Sequence, residues 1–288
     1  MTRPIYIFAG GGTGGHLYPG LAVAEQLERL DRGAQVVFAC SNRPIDRRIL
    51  DPLDYPVVPQ PVRPLPRNPK GWIGFLKAWR RSIAQASQMI ADLTPVAVLG
   101  LGGFAAGPLV RRAARVGVPT ALLNPDAVPG KANRYLAKHA DIIFSQFDSA
   151  RERFGPGARQ KVRCVGCPVR SSFLSAERPE ALRHFDLRTD RKTLLVNGGS
   201  LGARLINDAV LGLKGDLAAL SEAWQVLHVT GPDRYAEVGG AWKTAGIHTR
   251  VLPYCDRMDL AYAAADLVVG RCGASTAAEL AATATPAA

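Results

Sequence analysis

His16 closes the run Ala9-Gly10-Gly11-Gly12-Thr13-Gly14-Gly15-His16. A neutral imidazole accepts a proton near pH 7, which makes His16 a candidate general base toward an attacking hydroxyl. The glycines before it permit a tight turn and let backbone amides approach a phosphate or sugar at a helix start, so Thr13, Gly14 and Gly15 are candidate ligand contacts. A histidine that merely caps the helix or holds the loop is the simpler alternative, and the residues alone leave both open. A second glycine turn in the same half, Leu99-Gly100-Leu101-Gly102-Gly103-Phe104-Ala105-Ala106-Gly107-Pro108, brings Gly103 to another expected strand end. Two such turns on one sheet edge make a pocket for an anionic group. A dinucleotide site is disfavoured, because that fingerprint wants an acidic residue at the end of the second strand, where this chain reads Phe38-Ala39-Cys40-Ser41-Asn42.

The second half repeats the plan. Val196-Asn197-Gly198-Gly199-Ser200-Leu201-Gly202-Ala203-Arg204 offers the Ser200 hydroxyl and turn amides to a diphosphate. Further on, Gly270-Arg271-Cys272-Gly273-Ala274-Ser275-Thr276-Ala277-Ala278-Glu279 sets small residues at a helix start with an acid one turn in. Ser275 and Thr276 could meet a nucleotide's phosphate there, while the Glu279 carboxylate accepts both ribose hydroxyls. A plain N-terminal cap with a solvated acid is the competing reading.

The elements that must position these groups follow a βαβ rhythm. Apolar runs at 5–9, 36–39, 96–100, 120–123 and 142–144 alternate with amphipathic segments such as 21–30. After a Pro- and Gly-containing break at Gly166-Cys167-Pro168-Val169-Arg170 the rhythm restarts, with runs at 194–196, 225–229, 249–252 and 267–269 and helices expected at 203–220, 235–245, 258–264 and 275–282. The expectation is α/β: two Rossmann-like, doubly wound parallel-sheet domains, 1–167 and 168–288, with ligands at the carboxyl ends of the strands and a cleft between the domains as the active site. A second domain of this kind would be expected to need one more strand and a closing helix after 282, so a C-terminal truncation is expected.

With 288 residues, 47% hydrophobic and 21% charged, the chain has material for two ordinary cores. The net charge of +12 is unevenly placed: residues 1–170 hold 24 Lys/Arg against 11 Asp/Glu, and residues 171–288 hold 12 against 13. A basic first half could meet anionic lipid, a phosphorylated substrate or nucleic acid, and charge alone does not choose. The five cysteines are odd in number and scattered, which argues against a disulfide framework; the pair Cys164 and Cys167 lacks the further ligands of a zinc site, and no metal is expected. The N-terminus runs directly into a strand and no stretch is long and apolar enough to span a bilayer, so a soluble cytoplasmic protein is expected. Within residues 63–81, Trp72, Ile73, Phe75, Leu76 and Trp79 are interleaved with Lys70, Lys77, Arg80 and Arg81. On a helix this is the composition of an interfacial segment on anionic lipid, with an ordinary buried core stripe as the alternative.

Taken in order, the motifs resemble the MurG family, the undecaprenyl-diphospho-muramoylpentapeptide N-acetylglucosaminyltransferases of the GT-B fold. The resemblance runs over essentially the whole chain and rests on Gly11 to His16 with Pro19-Gly20-Leu21-Ala22, on Gly102-Gly103-Phe104 with Gly107-Pro108, on residues 166–170, on Gly198 to Ala203 and on Gly273 to Glu279. It implies an inverting transfer of N-acetylglucosamine from UDP-N-acetylglucosamine to the 4-hydroxyl of a lipid-linked muramoyl acceptor, at the cytoplasmic face of the bacterial plasma membrane. No cofactor and no nucleic-acid partner are implied. In that scheme the first two glycine turns take the acceptor, and His16 is the base. Ser200, with the amides around it, contacts the donor diphosphate, Glu279 the ribose, Arg170 the donor near the linker, and the backbone around Cys255 the uracil. Where the family reads His-Glu-Gln-Asn before a Pro-Gly turn, this chain has Leu123-Asn124-Pro125-Asp126, which exchanges an amide for a carboxylate at Asp126. The family's later donor-sugar segment is absent from the sequence, from which weak UDP binding and poor turnover are expected. A related glycolipid synthase with another lipid acceptor, a UDP-sugar 2-epimerase, and a non-catalytic UDP-sugar and membrane-binding module are the rival expectations.

Overall fold

The computed structural model describes residues 3–66 and 68–288. Arg67, part of the basic and aromatic segment, lies outside the described residues, as do Met1 and Thr2. The chain divides into two compact units after Arg170.

In the first unit the central strand-forming runs are mostly apolar, as strands covered on both faces must be, while the edge strand at 162–164 is exposed at two of its three residues. The strands are β1 (Ile5–Gly10), β2 (Gln35–Cys40), β3 (Val57–Pro59), β4 (Ala97–Gly102), β5 (Thr120–Asn124), β6 (Ile142–Ser145) and β7 (Val162–Cys164), paired in the order β3-β2-β1-β4-β5-β6-β7. Every pairing is parallel. Alternate residues of β1 feed separate cores: Ile7 and Ala9 join Val98, Leu109, Val110 and Leu122, whereas Phe8 joins Leu17, Leu21, Phe38 and Leu101. Helices therefore cover both faces. β3 and β7 were not expected; each is a three-residue edge strand, too short to show a hydrophobic period, and an edge tolerates Pro59. Strand order reverses between β1 and β4, and such a switch point is where open α/β sheets leave a crevice at the carboxyl edge. Both glycine turns of this unit leave the sheet there.

The second unit carries β8 (Lys192–Asn197), β9 (Trp224–Val229), β10 (Thr249–Leu252) and β11 (Leu267–Gly270) in the parallel order β10-β9-β8-β11. Its turns leave the adjacent strands β8 and β11. The helix expected over 203–220 forms as two, Arg204–Gly212 and Lys214–Ala219, split beside Gly212, whose residue type is a weak helix former. Residues 286–288 line the open edge of β11, with the Val268 amide donating to the Pro286 carbonyl at 2.9 Å and the Ala288 amide to the Val268 carbonyl at 2.8 Å.

Candidate functional site

His16 lies on the first turn of the helix Gly14–Leu30, with its ring against the second glycine turn. A Cβ on Gly102 would stand 3.0 Å from His16 Cδ2, and one on Gly103 only 2.6 Å from the Gly11 carbonyl and 3.2 Å from His16 Nδ1. Gly102 and Gly103 also have φ of 100° and 72°, in the left-handed region that favours glycine. Glycine is thus needed on the second turn so that the first can lie against it with an imidazole between. His16 Nδ1 is 3.1 Å from Thr13 Oγ1 and 3.3 Å from the Gly11 carbonyl. Because a carbonyl only accepts, that contact selects the tautomer protonated at Nδ1 and leaves Nε2 as the lone-pair nitrogen. Burial holds the imidazole below its ordinary pKa, against smaller opposing effects of the Gly11 carbonyl and the Asp126 and Asp46 carboxylates. A neutral ring with a free Nε2 is the form a general base needs.

The turn amides are less available than expected. The Gly12 amide donates to Asp46 Oδ1 at 2.6 Å, and in the second unit the Gly199 amide donates to Asn197 Oδ1 at 2.9 Å and the Gly202 amide to the Gly199 carbonyl at 2.8 Å. In the first unit the turn is buried and must satisfy its own donors whether or not a ligand is bound; in the second the turn is partly exposed and closes on itself through short-range bonds of the chain.

A cavity of about 600 Å³ opens beside His16, lined by Gly103, Phe104, Asp126, Asn133 and Tyr135, by the apolar Phe75, Leu76 and Trp79, and by the cations Arg63, Arg111 and Lys131. The helix Trp72–Leu93 contributes the aromatic wall. It buries Ala78, Ser82, Ala86 and Met89 and stacks Phe75 on Trp79 with centroids 6.1 Å apart, so Phe75 and Trp79 are half-buried at the cavity. Trp72, Ile73 and Leu76 stay 43%, 69% and 51% exposed. Phe75 and Trp79 thus face the cavity, Trp72 and Ile73 face outward, and Leu76 lies at the border, lining the cavity while half exposed. Asp126 is exposed at the cavity rim, and Asn124 holds its loop by donating to the Asp126 carbonyl at 2.7 Å. Arg170 stacks over the Tyr18 ring at 4.3 Å, against the helix that carries His16.

In the second unit, Ser200 is exposed at the tip of its turn. Gly202 crosses Gly231 so closely that a Cβ on Gly202 would lie 2.0 Å from the Thr230 carbonyl. That carbonyl is held by Asn207 Nδ2 at 2.9 Å, Asn207 Oδ1 meets His228 Nε2 at 3.0 Å, and Trp242 donates to His228 Nδ1 at 3.0 Å. Burial pushes the His228 pKa down to about 4, so the ring is a neutral link in this chain. Arg271 Nε donates to the Gly198 carbonyl at 2.6 Å and ties the β11 turn to the β8 turn. The helix Ala274–Thr283 is capped by Gly273, with Ser275 and Thr276 inside its first turn and Glu279 half-buried beside Tyr262, whose hydroxyl pKa is raised chiefly by burial and further by that carboxylate. Ser275 is therefore not the cap. Cys255 is buried and its thiol pushed up to about 12 by burial, so it stays protonated.

Family models for the glycosyltransferase family 28 N-terminal domain and C-terminal domain match residues 6–145 and 193–288. A curated relative from Halothermothrix orenii, named UDP-N-acetylglucosamine--N-acetylmuramyl-(pentapeptide) pyrophosphoryl-undecaprenol N-acetylglucosamine transferase, is 37% identical over 98% of this chain and 77% of its own length. The chain belongs to the MurG family. The crystal structure of Acinetobacter baumannii MurG aligns with a TM-score of 0.66 at 25% identity, covering 96% of this chain and 74% of that one. Its two parallel-sheet units are thus of the GT-B glycosyltransferase class. A UDP-GlcNAc 2-epimerase from Neisseria meningitidis aligns with a TM-score of 0.67 at 12% identity over 98% of this chain and 81% of that one, a likeness of fold alone.

Within this MurG-family chain the candidate residues fall into two groups. Thr13, Gly14, Gly15, His16, Gly103, Asp126 and Arg170 belong to the first unit, and Ser200, Cys255, Ser275, Thr276 and Glu279 to the second. Reading the sequence missed Asp46 and Asn133. Asp46 is six residues beyond the end of β2 with nothing local to mark it, and Asn133 sits in the short helix Lys131–Leu136, which resembles any solvent-facing turn in sequence.

Proposed function

We propose that the chain transfers N-acetylglucosamine from UDP-N-acetylglucosamine to the 4-hydroxyl of an undecaprenyl-diphosphate-linked muramoyl-pentapeptide. The observation that carries this reading is His16, wedged between two glycine turns with Nδ1 against the Gly11 carbonyl, beside a cavity of about 600 Å³. The names of the curated relatives supply the substrates. In one displacement, His16 Nε2 takes the hydroxyl proton, the oxygen bonds to the anomeric carbon, and the bond from that carbon to the diphosphate breaks with its electron pair leaving on UDP. The configuration inverts. Amides and the helix dipole around Ser200, Ser275 and Thr276 meet the leaving charge. The test is UDP release from the purified chain with the lipid-linked acceptor: release that depends on the muramoyl acceptor supports the reading, release with diacylglycerol points to a glycolipid synthase, and sugar isomerisation without acceptor overturns it.

In the same proposal Glu279 holds the donor ribose, Arg170 and the backbone around Cys255 contact the donor, and Thr13, Gly14, Gly15, Gly103 and Asp126 contact the acceptor. Glu279→Ala is expected to weaken UDP-N-acetylglucosamine binding by about 1 to 3 kcal/mol through loss of charged hydrogen bonds. Calorimetric titration checks this, and unchanged affinity removes Glu279 from the donor site.

The exposed Trp72, Ile73 and Leu76, with Lys77, Arg80 and Arg81 exposed on the same helix, support peripheral docking on an anionic membrane surface, at the cytoplasmic face where the acceptor would be reached. Among the described residues no helix is long and apolar enough to cross a membrane. Replacing all three apolar residues with serine is expected to lower binding to phosphatidylglycerol vesicles about 10-fold or more, since full burial of one such side chain contributes roughly 1.5 to 3 kcal/mol and partial insertion of the three already exceeds the ~1.4 kcal/mol of a tenfold change. Co-sedimentation measures it; retained vesicle binding in the triple variant would assign the face to packing.

A further inference from the structure

Asp46 is fully buried on the short helix Pro44–Leu50, and its carboxylate faces the first glycine turn. Oδ1 accepts the Gly12 amide at 2.6 Å; Oδ2 accepts the Ser41 amide at 3.0 Å and the Ser41 hydroxyl at 2.5 Å. A Cβ on Gly11 would lie 2.6 Å from Oδ2, so the carboxylate occupies the space that Gly11, at φ 143°, leaves open. On the opposite side of the turn, Arg43 donates to the Gly12 carbonyl at 3.2 Å and lies over the Phe104 ring at 5.0 Å, which couples this turn to the second one. The Gly11 carbonyl and Thr13 hydroxyl that emerge from the clamped turn are the two partners of His16 Nδ1.

We propose that Asp46 is a positioning residue for the transfer: its carboxylate, in place of a substrate anion, fills the first glycine turn and fixes the two groups that hold the His16 ring. This rests on reading His16 as the base. Two consequences are physical. A buried charge accepting three donors makes the turn rigid, because moving it would strand the carboxylate without partners. It also sets a negative charge near an imidazole that burial keeps neutral until it takes a proton, where the other titratable or polar groups facing the ring or its cavity are Asp126, Asn133, Tyr135, Arg63, Arg111 and Lys131.

Asp46→Asn in the full chain keeps the size and one acceptor for the Gly12 amide while removing the charge. Expected are a fall in kcat of about 10-fold or more, a donor KM changed by less than about 2-fold, and an acid limb of the kcat profile moved to lower pH, since His16 loses an anion that favours its protonated form. Unchanged kcat, or a fall in kcat with the acid limb unmoved, overturns the proposal. If that variant folds poorly, Ser41→Ala decides: it removes the hydroxyl donor to Oδ2 while the amide of residue 41 still donates there, and a kcat equal to wild type overturns the clamp, whereas a fall at constant donor KM supports it. NMR titration of the His16 ring gives a readout without turnover. A midpoint lowered in Asp46→Asn supports the proposal and an unshifted midpoint overturns it, even if the wild-type chain releases no UDP, a result that would count against the transfer reading instead.

Discussion

His16→Ala is expected to lower kcat by roughly 100-fold or more, the usual contribution of a general base, with the donor KM little changed. The imidazole is the group whose Nδ1 is spent on the Gly11 carbonyl and whose Nε2 is left for a hydroxyl proton. Alanine removes the base and also leaves Gly102 and Gly103 without the ring that fills the space between the turns. A second signature separates chemistry from packing. Burial lowers the His16 pKa, so the ring is neutral over the physiological range and kcat should fall only when pH drops below the ordinary imidazole value of about 6.5. The sign follows from the role: protonation removes the lone pair, so the loss is on the acid side. His16→Ala should abolish that limb. Steady-state kinetics from about pH 5 to 9 reads both effects, and a variant with intact turnover would leave His16 a loop residue.

Gly202→Ala is expected to cost roughly 4 kcal/mol or more and to abolish donor binding, whereas Gly246→Ala should cost only about 1 to 2 kcal/mol. The two glycines have nearly the same left-handed backbone, φ 75° and 72°. They differ in surroundings. A Cβ on Gly202 meets the Thr230 carbonyl at 2.0 Å and Gly231 Cα at 2.9 Å, both backbone, while a Cβ on Gly246 meets nothing within 4 Å. The Thr230 carbonyl cannot give way cheaply, since it is tied through Asn207 to His228 and Trp242. Subtracting one variant from the other therefore removes the common dihedral strain and leaves the cost of separating the turn from its neighbour. Thermal unfolding and UDP titration on both proteins test it; equal destabilisation would mean that the crossing is not what positions the Ser200 turn.

Parts of this molecule are legible because they are local. A glycine turn after an apolar run, at Gly11 to Gly15 or Gly198 to Gly202, announces a strand end whatever surrounds it, and the repetition of that plan in each half gives two parallel sheets. The missed strands, Val57–Pro59 and Val162–Cys164, lack that signal: three residues carry no period, and they exist because a longer neighbour offers them a hydrogen-bonding edge. Of the helix Trp72–Leu93 only the start, within residues 63–81, was read in the sequence, as an interfacial face if helical, and its aromatic residues could be divided between cavity and surface only once the side buried through Ala78, Ser82 and Ala86 was known.

From the sequence by itself came the residue types able to do chemistry, their order, and the rule that they sit at the carboxyl ends of parallel strands. The tertiary structure decided which of them touch. β1 and β4 are 87 residues apart at their closest-numbered ends, yet they pair side by side, and this alone sets Gly103 against Gly11 and His16 between them. Asp46 reaches Gly12 across 34 residues because β2, which precedes it, pairs with the other side of β1, and it takes an amide that the glycine pattern had promised to a ligand. A turn's shape is written in a few adjacent residues; the partner that satisfies its buried donors is chosen by whatever the sheet brings alongside, and no local pattern records that choice.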